Sequence, residues 1–273
     1  MVRLPAVAGR FYPSDPAELS ARIRECLAAL SGAVNSSTVR SVKACLVPHA
    51  GLMFSGHVAG AVFSSIHIPS KVVILGVRHR PPGSPAAIIS DGAFRTPLGD
   101  AEIDNELAAK LRAACPLLTE DAVAHNKEHS LEMEIPFLQI LNPDFRFVPI
   151  ALGTAHFETL VNIGEAIGAV LAAENDEVLL VTSSDLNHYE DDATTRVKDA
   201  KAIEQLLRMD GRGLYDVCRN EEISMCGLGP AVAMLTALQV LKAGNAELIG
   251  HATSADRSGD PSAVVGYAGM VFW

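Results

Sequence analysis

Short runs rich in valine, isoleucine and leucine recur along this chain, and the apolar character of several of them is continuous and does not alternate with polar residues. A strand with one face in water shows that alternation, so an uninterrupted run predicts a strand covered on both faces, as in a parallel or mixed sheet between helices. Such runs lie at 42–48, 71–76, 86–90, 145–151, 177–183, 246–253 and 263–272.

Segments with helical periodicity separate these runs. They cover 16–30, 101–113, 128–140, 157–173, 194–208 and 229–242. Strands that alternate with helices predict an α/β fold, here a three-layer α/β/α sandwich with a central, mostly parallel or mixed sheet. Ser31–Thr38 is interpreted as a surface loop and not as a linker, so residues 1–273 are expected to form one domain.

The net charge of the chain argues against nucleic acid and anionic membranes as partners. The chain has 22 Lys and Arg against 32 Asp and Glu, and its net charge of −10 would repel nucleic acid and anionic membrane surfaces. No apolar stretch approaches the roughly 18 residues of a spanning helix, and the first residues resemble no signal peptide. We therefore expect a soluble, cytoplasmic protein with no nucleic-acid or membrane partner. The sequence leaves its oligomeric state open.

Three of the apolar runs end at polar turns that carry titratable side chains. His49 follows ACLVP, His79 follows KVVILGVR, and Asp185 and His188 follow EVLLVTSS. The carboxyl ends of strands in an open α/β sheet form the crevice in which ligands bind, so these turns point toward one site. Asp185 is spaced to orient His188 as a general acid or base. Each residue taken alone could equally be a loop residue or a helix cap.

Cys226 and a histidine-rich segment are further candidates. Cys226 precedes Gly227 and a helix that Pro230 opens, and a helix terminus lowers a thiol pKa, which favours a nucleophile or a soft metal ligand. The alternative is an inert buried thiol. Glu128 and His129 in HNKEHSLEMEIPF could line the crevice, or Glu128 could belong to an acidic first turn of a helix. The five cysteines include no C-x-x-C pair, so neither a disulfide framework nor a zinc ribbon is expected.

Seven segments, taken in order, resemble the Memo-like family across nearly the full length. They are LPAVAGRFYP, VPHAGLMFSG, ILGVRH, FRTPLGD, EHSLEMEIPF, SSDLNHY and CGLGP. The fold of that family is similar to the class III extradiol ring-cleaving dioxygenases, which hold a non-haem iron at the carboxyl end of a sheet. The resemblance therefore implies a class III extradiol dioxygenase-like fold.

The resemblance also implies roles for individual residues. His49, His79 and Cys226 correspond to the metal-binding trio of Memo-like proteins, and Asp185 and His188 to a neighbouring acid/base pair. Where the dioxygenases use a carboxylate ligand, this chain has Cys226, and a thiolate makes the site softer, which favours Fe(II) or copper. The family often has a second histidine in the His79 loop, whereas this chain has Arg80.

Three functions are consistent with these residues. The first is a metal-binding, oxidoreductase-like protein holding non-haem iron or copper, with dioxygenase or other redox activity and a small-molecule or peptide ligand in its crevice. The second is an adaptor module that binds a peptide or small anion in the same crevice. The third is a thiol hydrolase in which Cys226 is the nucleophile and His188 the base.

Overall fold

The computed structural model describes residues 1–29 and 39–273, so the loop predicted over Ser31–Thr38 lies outside the described residues. The helices are α1 Pro16–Ala28, α2 Leu52–Ser65, α3 Asn105–Ala114, α4 Ile135–Leu141, α5 Phe157–Ala173, α6 Asp192–Leu207, α7 Gly211–Asn220, α8 Leu228–Val240 and α9 Ala255–Ser258. A 3-10 turn, Glu132–Glu134, precedes α4. None of the described helices is long and apolar enough to cross a bilayer.

The strands are β1 Val2–Arg3, β2 Ala44–Val47, β3 Lys71–Val77, β4 Ala86–Ile88, β5 Ala93–Thr96, β6 Gly99–Glu102, β7 Thr119–Glu120, β8 Arg146–Leu152, β9 Val178–Ser183, β10 His188–Glu190, β11 Ala246–Thr253 and β12 Val264–Phe272. In the described part of the chain, nine of them form one mixed sheet in the order β10-β12-β2-β9-β3-β8-β4-β7, with β11 on β12. The centre of the sheet is parallel, because β9 lies between β2 and β3 and β3 pairs with β8. Strands β1, β5 and β6 form a small separate sheet.

Both faces of the large sheet are buried, as the continuous apolar runs predicted. Along β3, Val73 and Leu75 pack into the core beneath α5 and α8, whereas Val72 and Ile74 pack into the core beneath α1, α2 and α4. Because side chains alternate between the two faces of a strand, a strand buried on both faces is apolar at most of its positions. The predicted three-layer α/β/α sandwich with a mixed central sheet is confirmed.

Helix α2 had no counterpart among the predicted helices. It is apolar all round and rich in glycine, so it shows no amphipathic stripe. Two of its glycines allow α1 to approach closely: a Cβ on Gly60 would lie 2.2 Å from the Cys26 carbonyl oxygen, and one on Gly56 would lie 2.7 Å from the Cys26 Sγ. The two glycines that weaken the helical pattern of α2 are therefore the residues that allow α2 to pack closely against α1.

Other elements differ from the prediction at their boundaries. The helix predicted over 101–113 begins only at Asn105, because Gly99–Glu102 forms an edge strand that pairs with β5. The helix predicted over 128–140 is confined to Ile135–Leu141, preceded by the 3-10 turn. Strands β1, β5, β6, β7 and β10 were missed because none is longer than four residues.

A buried carboxylate fixes the amino-terminal segment onto the body of the protein. Glu132 is fully buried and contacts the guanidinium of Arg3 and the hydroxyl of Tyr12. It also accepts hydrogen bonds from the backbone N–H groups of Ala6 at 2.8 Å and Val7 at 3.1 Å. A buried charge is tolerated only with such partners, so Glu132 couples residues 3–12 to the segment that precedes α4.

Candidate metal centre

The site lies where three neighbouring parallel strands end. His49 follows β2, His79 follows β3 and Asp185 follows β9, and these strands are adjacent in the order β2-β9-β3. The three side chains line one cavity of about 950 Å³, which His188 and Cys226 also line. The structure thus brings together all five residues that the sequence singled out. The volume is typical of a small-molecule site.

The hydrogen bonds of Ser183 fix the tautomer of His49. The Ser183 hydroxyl lies 2.7 Å from the Ser130 carbonyl, 2.8 Å from Glu134 Oε1 and 2.8 Å from His49 Nδ1. A carbonyl can only accept, so the single Ser183 hydrogen goes to Ser130. Glu134 must then be protonated and His49 must carry its proton on Nδ1. The Nε2 atom of His49 therefore keeps a free electron pair.

Burial supports the same arrangement of protons. Glu134 is fully buried, and its burial raises the pKa of the carboxyl well above the ordinary value. Its Oε2 has no hydrogen-bond partner among the described residues, which suits a neutral acid better than a carboxylate. Burial also lowers the pKa of His49 well below the ordinary value, helped by the neighbouring His129 and His79. His49 is therefore neutral at physiological pH.

Glu128 holds His79 in the matching tautomer. Its carboxylate accepts from the His79 backbone N–H at 2.7 Å and lies 2.9 Å from His79 Nδ1. Burial opposes the charge on Glu128, but the hydrogen bonds from His79 and from the Ser130 backbone lower its pKa to about 2. An ionised carboxylate only accepts, so Nδ1 of His79 donates, and in the neutral ring this leaves the free electron pair on Nε2. An imidazole anchored in this way by a carboxylate is the usual arrangement of a metal-binding histidine.

His129 completes a cluster of three imidazoles. One ring nitrogen from each of His49, His79 and His129 can be chosen so that all three lie within 4.8 Å of one another. Burial lowers the pKa of His129 to about 4, so its ring is neutral and available as a ligand. The sequence predicted His129 only as a crevice-lining residue. The neighbouring Glu128 was the available signal, because a carboxylate beside histidines can orient a ligand.

Cys226 lies against His49, at the edge of the three-histidine cluster. Its Sγ is 3.4 Å from His49 Nε2 and 3.6 Å from the Asp185 carbonyl oxygen. The expectation that the start of α8 lowers its pKa is wrong. Burial, reinforced by the nearby Asp185 carboxyl, raises the pKa of the thiol well above its ordinary value. Desolvation of the thiolate outweighs the partial charge of the helix terminus.

Asp185 is oriented toward His49 and not toward His188. Its Oδ1 accepts from the backbone N–H groups of His49 at 2.9 Å and Ala50 at 3.3 Å, and its Oδ2 lies 3.9 Å from His49 Nε2. The expectation that Asp185 orients His188 is therefore wrong. Burial raises the pKa of Asp185 to about 7, against the two backbone hydrogen bonds. Asp185 can therefore gain or lose a proton near neutral pH.

His188 is held by a different partner. Its Nδ1 lies 3.0 Å from the carbonyl oxygen of Ser224, which can only accept, so Nδ1 carries the proton and Nε2 has the free electron pair. Burial lowers the pKa of His188, which keeps the ring neutral. No hydrogen bond joins His188 and Cys226 among the described residues, so the hydrolase pairing of these two side chains lacks the contact that a nucleophile and its base need.

The donor set fits a transition metal. An ion bound about 2.1 Å from an imidazole nitrogen and 2.3 Å from a sulfur, in tetrahedral geometry, would separate these two atoms by about 3.6 Å. The separation of 3.4 Å between His49 Nε2 and Cys226 Sγ is close to this value. Neutral imidazoles with a thiol suit iron, copper or zinc and not magnesium or calcium, which prefer oxygen.

Comparison with known proteins gives matches over the whole chain. The family model described as Memo-like protein matches residues 3–271. A MEMO1 family protein of Methanopyrus kandleri is 40% identical over 280 aligned positions, which cover 100% of this chain and 99% of the relative. A MEMO1 family protein of Caldivirga maquilingensis is 39% identical over the same shares of both chains. An uncharacterized protein of Escherichia coli K12 superposes with a TM-score of 0.49 at 13% identity, over 83% of this chain and 99% of its own.

Proposed function

This chain belongs to the Memo-like family, and we propose that it binds a redox-active transition metal, iron or copper, and works as an oxidoreductase on a small molecule in the same cavity. His49 and His79 are the two ligands we assign first. Cys226 is the third ligand expected from the family resemblance, and His129 supplies a further nitrogen beside them.

One observation carries the proposal. Both His49 and His79 have their Nδ1 atoms bound by buried acceptors, Ser183 and Glu128, and this leaves both Nε2 atoms free at one cavity. Holding two histidines in the same tautomer requires a separate buried polar partner for each ring, and burying a polar group is energetically unfavourable. Metal sites use such partners to fix imidazole ligands and to raise their basicity.

The metal would supply Lewis-acid polarisation and electron transfer to a bound substrate. The chain's own residues would manage the protons. Asp185 has a pKa of about 7, so near neutral pH it can donate or accept a proton beside His49. His188 has a free Nε2 and a ring kept neutral by burial, so it can accept a proton from a substrate in the cavity.

Metal analysis of protein purified without a histidine tag tests the first part. We expect close to one equivalent of iron or copper in the parent and a loss of at least about tenfold in affinity for His49→Ala. His67→Ala is the matched control, because this exposed histidine lies outside the cavity. If His49→Ala and Cys226→Ser both keep the metal content of the parent, the proposed site is wrong.

Two further variants distinguish Cys226 from His129 as the third ligand. If Cys226→Ser loses the metal and His129→Gln keeps it, the ligand set is two imidazoles and a thiolate. The reverse result assigns three imidazoles. X-ray absorption spectroscopy of the metal-loaded parent checks the answer independently, since a sulfur ligand at about 2.3 Å is resolved from nitrogen at about 2.1 Å.

Oxygen consumption tests the redox part. With ascorbate as the reductant, we expect the metal-loaded parent to consume oxygen faster than the same concentration of free metal. His188→Gln should keep the metal and slow the reaction by about 100-fold if the imidazole transfers a proton. A parent rate no greater than that of free metal would contradict an oxidoreductase function while leaving the metal site intact.

A further inference from the structure

A second cavity, of about 540 Å³, lies beside the metal cavity. It is lined by the ends of β3 and β8 and by the start of α8. Ser224 and Cys226 line both cavities, so they form the wall between them. None of the three clustered histidines lines the second cavity, which is therefore a separate space from the proposed metal site.

An arginine without a counter-ion lines this second cavity. Arg78 is partly buried, and its Nε is fully buried with no hydrogen-bond partner among the described residues. Its guanidinium makes one long contact, 3.5 Å from Nη1 to the Arg80 carbonyl, and pairs with no described carboxylate. In a chain with 32 acidic residues against 22 Lys and Arg, an unpaired guanidinium with a buried Nε is unexpected, because the desolvation of that nitrogen is left uncompensated.

The backbone beneath Arg78 is shaped to accept it. A Cβ on Gly153 would lie 2.4 Å from Arg78 Nε and 2.8 Å from one of its terminal nitrogens. Any other residue at 153 would displace the guanidinium from its place at the end of β8. The absence of a side chain at Gly153 therefore leaves the space that the Arg78 guanidinium occupies.

Three other charges or dipoles face the cavity. Arg219 lines it and lies over the ring of Tyr215, 5.8 Å from the centroid. Helix α8 begins at the cavity with no side-chain cap; the Leu228 N–H bonds to the Met225 carbonyl at 3.3 Å and Pro230 has no N–H, so Gly229 supplies the amide of the first turn, with the partial positive charge of a helix start. Glu222 also lines the cavity and is the one opposing carboxylate among its described lining residues.

We propose that this cavity binds a small oxyanion, a phosphate or carboxylate group, and that Arg78 is its principal ligand. A guanidinium matches the two oxygens of either group with paired hydrogen bonds. The site lies across Cys226 from the histidines, so a molecule that carries such a group could be held beside the metal cavity. The inference does not rest on the metal proposal, because Arg78 needs no metal to bind an anion.

Phosphorus NMR titration of the whole protein with inorganic phosphate, at constant ionic strength, tests the proposal. We expect Arg78→Gln to weaken binding at least about tenfold and Arg78→Lys to weaken it less, because lysine keeps the charge and loses the paired geometry. Arg80→Gln is the matched control, since this exposed arginine is two residues away and does not line the cavity. Glu222→Gln should tighten binding, because it removes the opposing charge.

Two more measurements distinguish a phosphate held by Arg78 from one held by a metal. His49→Ala and treatment with a chelator should leave phosphate binding unchanged, and loss of binding in either would place the phosphate on a metal and overturn the proposal. If acetate competes with phosphate, the site also accepts carboxylates; if it does not, the site is specific for phosphate. Both results support an oxyanion cavity. No binding by the parent at millimolar phosphate, or equal binding by a folded Arg78→Gln variant, would refute it.

Discussion

Ser183 connects the buried acid Glu134 to the proposed metal ligand His49, so removing its hydroxyl is the most direct test of the site. In Ser183→Ala, His49 Nδ1 loses its acceptor at 2.8 Å and the imidazole is free to rotate or change tautomer. Loss of such an outer partner lowers metal affinity by about 10–100-fold. Glu134 would also lose the partner of its Oε1 while its Oε2 already has none among the described residues, and we expect a cost of about 1–3 kcal/mol in stability.

The two effects are measured separately. Competition with a chromophoric chelator gives the metal affinity, and urea unfolding of the metal-free protein gives the stability. Thr182→Val is the matched control, because Thr182 precedes Ser183 on β9, faces the opposite side of the sheet, and has a buried hydroxyl with no described partner. It should leave the metal affinity within about twofold and should not lower the stability. If a folded Ser183→Ala variant binds metal as tightly as the parent, the assignment of the His49 tautomer is wrong.

Three further predictions concern stability, each measured by urea unfolding. Glu132→Ala should cost about 3–5 kcal/mol, because it leaves the buried Arg3 without its counter-ion, whereas Glu106→Ala, at an exposed ion pair, should leave the stability nearly unchanged. Gly60→Ala should cost about 1–3 kcal/mol by forcing α1 and α2 apart, whereas Gly244→Ala, with open space around it, should be nearly neutral. The metal-free protein should lose stability as the pH falls from about 6.5 toward 4. In this range His129 is protonated in the unfolded chain but stays neutral in the folded protein, where its pKa is about 4. This shift alone amounts to about 3 kcal/mol, and His129→Gln should remove that part of the pH dependence; an unchanged pH profile would contradict it.

The sequence predicted the sheet well because its signal is local. A strand buried on both faces is apolar at most of its positions, and all seven predicted runs overlap strands of the main sheet. The same logic placed His49, His79 and Asp185 at one edge of the sheet, since the strand ends converge there. Helix α2 was missed for the opposite reason: 10 of its 14 residues are buried and it carries no amphipathic pattern, and its glycines serve a contact with α1 that only the tertiary structure defines.

The partners of the site residues could not be predicted from spacing. Asp185 and His188 are three positions apart, yet Asp185 bonds to the backbone of the turn after β2 and His188 to Ser224. For Cys226, the helix terminus and the burial of the thiol shift its pKa in opposite directions, and only the fold shows that burial is the larger effect. The hydrogen bonds that link Glu134, Ser183 and His49 connect three segments that are distant in the sequence, so no local motif could predict them.

The contacts that Glu132 makes with residues 3–12 have a consequence for biosynthesis. They hold Phe11 against His129, with ring centroids 5.0 Å apart, and Phe11 lines the same cavity as Tyr267 near the other end of the chain. Segments that lie far apart in the sequence therefore supply walls of one pocket. A nascent chain that has exposed its histidines still lacks Cys226 and Tyr267, so the complete pocket can form only after synthesis has passed both. Until then the histidines are exposed without the walls that enclose them in the folded protein.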